Sequence, residues 1–243
     1  TMDAPPAPRW RPLTRTERRV LGVLAEKAKT TPDNYPLTLN AVITGSNQKS
    51  NRFPQMQLDE SQASAALDEL RRAGAVSLIQ GDGRAEKYRH LLYDWLGVDK
   101  VELAVMAELL LRGAQTLGEL RGRAARMEPI RDMHDLTPIV DRLHAKSLVI
   151  YLSPPGRGAV VTHNLYQPQE LAKVKADHAA GGESAATASD GPSAQAPPAR
   201  PPSPAAPAAP AAPSELEQLR SELAGLKLEV AELREELRQL TKP

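Results

Sequence analysis

The stretch Asn47-Gln48-Lys49-Ser50-Asn51-Arg52 sets six polar residues in a row, with two cations and no carboxylate among them. Side-chain amides and a hydroxyl can bond phosphate oxygens or base edges, and Lys49 and Arg52 add attraction for a polyanion. The same residue types also cap helices and fasten loops, so two readings of this run stand level. Further along, Arg84, Lys87 and Arg89 follow a Gly81-Asp82-Gly83 turn, and Arg71 and Arg72 close a helical stretch. The run and the turn region would together form one contact surface for DNA or for a partner protein, with Arg71 and Arg72 as further candidates. Against direct base readout, that helical stretch also holds Asp59, Glu60, Asp68 and Glu69, whose carboxylates repel phosphate.

No comparable case exists for catalysis. The five histidines, at 90, 134, 144, 163 and 178, show no metal-ligand spacing. The chain has no cysteine, which removes disulfides, thiolate zinc sites and cysteine nucleophiles together. No Gly-rich phosphate loop follows a strand, and no Gly-x-Ser-x-Gly elbow occurs. The expectation is a protein that is not an enzyme, with no cofactor and no metal. His90 and His163 read as strand-end packing residues.

The elements that carry these residues are written twice between Leu13 and Leu165. Val20, Leu21 and Leu24 lie on one helical face behind the capping box Thr14–Glu17, and Val105, Met106 and Leu109 repeat their offsets. Thr38-Leu39 with Val42 and Ile43 opens a second helix, echoed by Thr116-Leu117 with Leu120. A third helix shows Ala63, Ala66, Leu67 and Leu70, and Leu136, Ile139, Val140 and Leu143 follow with the same spacing 73 residues later. Asp59 and Asp135 are the expected N-caps, which puts Pro138 in the first turn of its helix. Each third helix then runs into a β-like segment, Val76–Gln80 or Leu148–Leu152, a turn cluster, and a second extended run ending at His90 or His163.

Three helices and a β-hairpin are the winged-helix arrangement. The expected fold is therefore mainly α with small β-hairpins (α+β): winged-helix domains at 13–93 and 94–170 behind a disordered N-terminus at 1–12. The run Thr31-Pro32-Asp33-Asn34-Tyr35-Pro36-Leu37-Thr38-Leu39-Asn40, followed by Asn47 to Arg52, resembles the YceH-like family of bacterial proteins. Ala65 with Leu67 to Arg72, Glu86 to His90, Glu102 to Val105 and Leu111 to Gly113 fit it too. The resemblance covers about residues 13–166 and implies tandem winged helices; it brings no biochemical activity with it. The chain departs from the family around Tyr93-Asp94 and in its C-terminal tail.

That tail divides at Ser214. Residues 179–213 are dominated by Ala, Pro, Ser and Gly, too poor in large apolar residues to offset chain entropy, so a disordered tether is expected. Residues 214–241 carry Leu216, Leu219, Leu223, Leu226, Val230, Leu233, Leu237 and Leu240 at alternating spacings of three and four, an unbroken coiled-coil seam. Glu215, Glu222, Glu229 and Glu236 fall at g against Arg220, Lys227 and Arg234 at e, which favours a parallel pairing. Val230 at an a position leans towards a homodimer over a trimer.

Net charge is +1, with the excess of cations in the first 93 residues. Aromatics make up 3% of the chain, which suits small helical domains packed on Leu, Val and Ala. No stretch is apolar enough to span a bilayer, so no membrane is expected and a cytoplasmic location is. Two functions remain open: a DNA-binding, transcription-regulatory protein, or a protein–protein adaptor.

Overall fold

The computed structural model describes residues 9–79, 86–156 and 158–186. Within them the chain is mixed α+β and mostly helical, with eight α-helices and two small antiparallel sheets. No described helix is long and apolar enough to cross a membrane.

The first repeat opens with α1 (Arg15–Thr30), where the Thr14 side chain and Glu17 form a reciprocal capping box. Strand β1 (Leu37–Thr38) leads directly into α2 (Leu39–Ser46), capped by the Thr38 hydroxyl. Helix α3 (Glu60–Arg72) is capped by Asp59, with Gln62 returning the bond. Strands β2 (Val76–Ile79) and β3 (Lys87–His90) pair antiparallel, with Val76 opposite His90. The second repeat has α5 (Lys100–Arg112), β4 (Gln115–Thr116), α6 (Leu117–Ala124), α7 (Met133–Ala145), β5 (Val149–Tyr151) and β6 (Val160–His163) in the same order. Both sheets share one layout, β1-β3-β2 and β4-β6-β5. The third strand of each is only two residues long, too short for a sequence pattern, which is why a hairpin alone was expected.

Four elements differ from the sequence expectation. Helix α7 starts at Met133 with Asp132 as its cap, not at Asp135. Pro138 consequently sits in the second turn, where its missing N–H leaves one helical bond unmade. A short helix, α4 (Leu92–Leu96), follows β3, and its Trp95 Nε1 donates to the Ala73 carbonyl at 2.9 Å. Helix α8 (Pro168–Ala186) continues past residue 179, where the tether was expected to begin. Trp10 and Arg11, expected in a disordered terminus, are half-buried: Trp10 packs on the core and Arg11 pairs with Glu17 at 2.6 Å. The tether from residue 187 and the coiled-coil seam at 214–241 lie outside the described residues.

The two repeats share a single core. Helices α1 and α5 are buried nearly all round, from Glu17 to Glu26 and from Glu102 to Leu111, because each lies between its own repeat and the other's first helix. They approach closely at Gly22, where a Cβ would come within 2.8 Å of Leu111 Cγ. Backbone bonds stitch the joint: the Leu13 N–H donates to the Leu165 carbonyl at 2.9 Å, and Phe53 to Leu111 at 3.0 Å. Both repeats accordingly fall in one compact unit.

Candidate nucleic-acid interface

The polar run 47–52 connects α2 to α3, and most of it is committed inward. Asn47 clasps Leu58 with both ends of its amide, donating to the carbonyl at 2.9 Å and accepting the N–H at 2.7 Å. Arg52, expected on the contact surface, is buried instead. Its Nη2 meets Glu26 at 2.5 Å and the Gln48 amide oxygen at 2.9 Å, while Nε donates to the Gly45 carbonyl. A guanidinium so enclosed cannot reach a phosphate. Asn51 takes a positive φ of 59° and accepts a bond from Arg112 at 2.6 Å across the repeat joint. Only Lys49 and Ser50 are exposed.

On α3 the pattern Ala63, Ala66, Leu67, Leu70 is buried, which turns Ser61, Gln62, Glu69, Arg71 and Arg72 to solvent. The two arginines are not free: Arg71 pairs with Asp68 at 3.1 Å and Arg72 with Glu69, each three residues back on the same helix. Exposed pairs of this kind are individually weak, yet they leave the helix face without a cationic excess.

Strand β3 is different. Tyr88 points into the core, so alternation sends Lys87 and Arg89 to the opposite, exposed face. Neither has a carboxylate within ion-pair distance among the described residues. Arg84 lies outside the described residues.

The strand ends at His90, whose Nδ1 accepts the Leu92 N–H at 3.3 Å, and His163 makes the matching bond to Leu165 at 3.2 Å. Burial, helped by Lys29 and Arg89, lowers the His90 pKa to about 4. Burial, helped by Arg18, takes His163 well below its ordinary value. Both are neutral imidazoles serving the strand end.

In the second repeat, Arg131 holds Asp135 at 2.9 Å, and Arg142 and Lys146 hold Glu102 at 3.1 and 2.7 Å. The densest His and carboxylate group among the described residues, Asp132, His134 and Asp135, sits at the start of α7. Its carboxylates already serve as helix cap and as partner of Arg131. What sequence reading missed is a cluster of arginines, Arg15, Arg18, Arg19 and Arg112, gathered along a cleft beside α8. No local spacing signals it, because it depends on α1, α5 and α8 meeting.

A family model described as "Protein of unknown function, DUF480" matches residues 13–157. A UPF0502 protein of Rhodopirellula baltica is 61% identical over 160 residues, covering 66% of this chain and 68% of its own length. A UPF0502 protein of Pelobacter propionicus is 53% identical over 131 residues, covering 54% and 60% respectively. One of Geobacter sulfurreducens is 47% identical over 148 residues, covering 60% and 68%.

Proposed function

We propose that this chain, which belongs to the DUF480 family, is a non-enzymatic protein that binds duplex DNA through the wing of its first repeat. The order helix, short strand, helix, helix, hairpin supports reading each repeat as a winged helix, in which the third helix faces the duplex and the wing meets its backbone. The observation that carries the reading is the pair Lys87 and Arg89, exposed side by side on β3 with no carboxylate partner among the described residues. Lys49 adds a third exposed cation on the α2–α3 connection. Because the α3 arginines are already paired, the contacts would be to phosphate rather than to base edges, and binding would tolerate sequence. The cysteine-free composition fits action in the cytoplasm.

The seam at 214–241 would join two chains in parallel, so that two weak DNA modules act on one duplex. A salt-titrated binding assay on random duplex DNA, using the full chain and Val230→Asp, tests both parts. The full chain binds with affinity falling steeply as salt rises; the variant is monomeric by light scattering and binds more weakly. No binding by the full chain at low salt contradicts the DNA reading, and an unchanged mass contradicts the seam.

A second reading, a protein adaptor, is favoured by the paired charges of α7 and by Met133, 40% exposed at its start. Recovery of a stoichiometric protein partner, with no DNA binding, would put this reading first.

A further inference from the structure

A cleft of about 400 Å³ lies where α1, the end of α5 and α8 meet. Five cations line it, Arg15, Arg18, Arg19, Arg112 and Lys173, against two carboxylates, Glu170 and Asp177. Residues 170, 173, 174 and 177 follow helical spacing, so one face of α8 forms a wall.

Two of the five cations lie within 3 Å of a carboxylate, though the Arg112 Nε is buried without a hydrogen-bond partner. Arg18 grips Glu170 through both terminal nitrogens, at 2.8 and 3.0 Å, and its guanidinium lies 4.6 Å from the centre of the Tyr166 ring. Arg112 sits 2.9 Å from Glu108 and donates to Asn51. Arg15 reaches only the edge of the already occupied Glu170, at 3.9 Å, and Lys173 has no ion-pair partner among the described residues.

Arg19 is the informative residue. It is 2% exposed, and its terminal nitrogens donate to two backbone carbonyls, Ser46 at 3.0 Å and Pro54 at 2.6 Å. No carboxylate meets it among the described residues, and its Nε is buried without an acceptor. Burial and the neighbouring Arg52 and Arg15 lower its pKa to about 10, so it is still a cation at neutral pH. A buried cation with no counter-charge is costly and is relieved by an anion brought alongside. At the same cleft Phe53 is 68% exposed, with its backbone N–H fixed to the Leu111 carbonyl. An exposed ring beside arginines offers a stacking surface next to a phosphate site.

We propose that this cleft binds a small phosphorylated ligand bearing a planar ring, a nucleoside monophosphate in class. The phosphate lies against Arg15 and Lys173, the buried charge of Arg19 adds attraction without direct contact, and the ring covers Phe53. The volume is in the range of small-ligand pockets. The site uses neither Lys87 nor Arg89, so it stands apart from the DNA reading.

The test is calorimetric titration of the full chain with AMP and with inorganic phosphate at low ionic strength. AMP saturates at one per chain and binds more tightly than phosphate. Arg15→Gln with Lys173→Gln weakens AMP roughly tenfold or more, as loss of charge-assisted bonds predicts, while the circular dichroism stays unchanged. Phe53→Ala weakens AMP and leaves phosphate alone. These variants are chosen because Arg19 also ties down Ser46 and Pro54, and its loss would disturb the fold. Absence of saturable binding by both probes overturns the proposal, as does an AMP affinity unaltered in the Arg15, Lys173 variant. Phosphate binding as tight as AMP overturns the assignment of the ring to Phe53.

Discussion

The two repeats share a frame but fill it with opposite chemistry. Their capping boxes, Thr14 with Glu17 and Asp99 with Glu102, set the first helices in equivalent register, so Glu26 of α1 corresponds to Leu111 of α5. In the first repeat Glu26 anchors Arg52 and, through it, the polar connection 47–59. In the second, Leu111 packs on Gly22, and the shorter connection 125–132 buries Met127 and Ile130. The wings diverge likewise: Lys87 and Arg89 are exposed, whereas Val160 and Thr162 at matching places on β6 are half-buried and buried. An apolar connection and a covered wing suit a structural half. A hydrogen-bonded connection and a bare cationic wing suit the half that meets a polyanion.

The largest effect should come from breaking the ion pair that replaces a leucine. Arg52→Ala leaves Glu26 buried and unpaired, which costs about 3–5 kcal/mol by urea denaturation. Glu26→Leu with Arg52→Met, copying the apolar chemistry of the second repeat, should recover most of that loss. A double variant as unstable as the single one would show that the pair does more than fill space.

Next in size is a pH effect at the matched histidines. Both have folded pKa values below the ordinary 6.5, so the unfolded chain binds more protons as pH falls beneath that value. Stability is full above about 6.5 and is lost downward; for His90 the loss is complete near pH 4 and amounts to roughly 3 kcal/mol. His90→Gln should flatten the dependence of unfolding free energy on pH between those limits. The more deeply buried His163 should add to the loss in the same direction. An unchanged slope in His90→Gln would contradict the burial argument.

The smallest contrast uses one substitution in both repeats. Gly22→Ala pushes a methyl into Leu111 at the joint and should destabilise by about 1 kcal/mol, overpacking exceeding the gain in helix propensity. Gly118→Ala on α6 meets nothing within 4 Å and should stabilise by roughly 0.5–1 kcal/mol. Shifts of equal sign in thermal melting would mean that the joint is looser than its geometry.

Much of the frame was legible because it is local. The apolar stripes of α1, α3, α5 and α7, and the caps at Thr14, Asp59 and Thr116, are written in adjacent turns. Asp132 was overlooked because Asp135, three residues on, is an equally good capping type. Strands β1 and β4 and helix α4 are too short to show a period, and Leu92, Trp95 and Leu96 are buried by contact with distant elements. The site was less legible than the fold. Lys49 and Arg52 look alike in sequence, and only the long-range placement of Glu26 draws one inward while the other stays in water. The arginines of α1 carry no local signal at all, since α8 must fold back beside them before a cleft exists.

The central claim is that the first wing, and not the second repeat, carries the affinity for DNA. Its direct test is the salt dependence of duplex binding for the full chain, Lys87→Ala with Arg89→Ala, and Arg131→Ala with Arg142→Ala. The account predicts that the wing variant releases about two fewer counterions per chain, seen as a shallower plot of log affinity against log salt, while the second-repeat variant keeps the original slope. A wing variant with an unaltered slope, or a loss confined to the second-repeat variant, would contradict it.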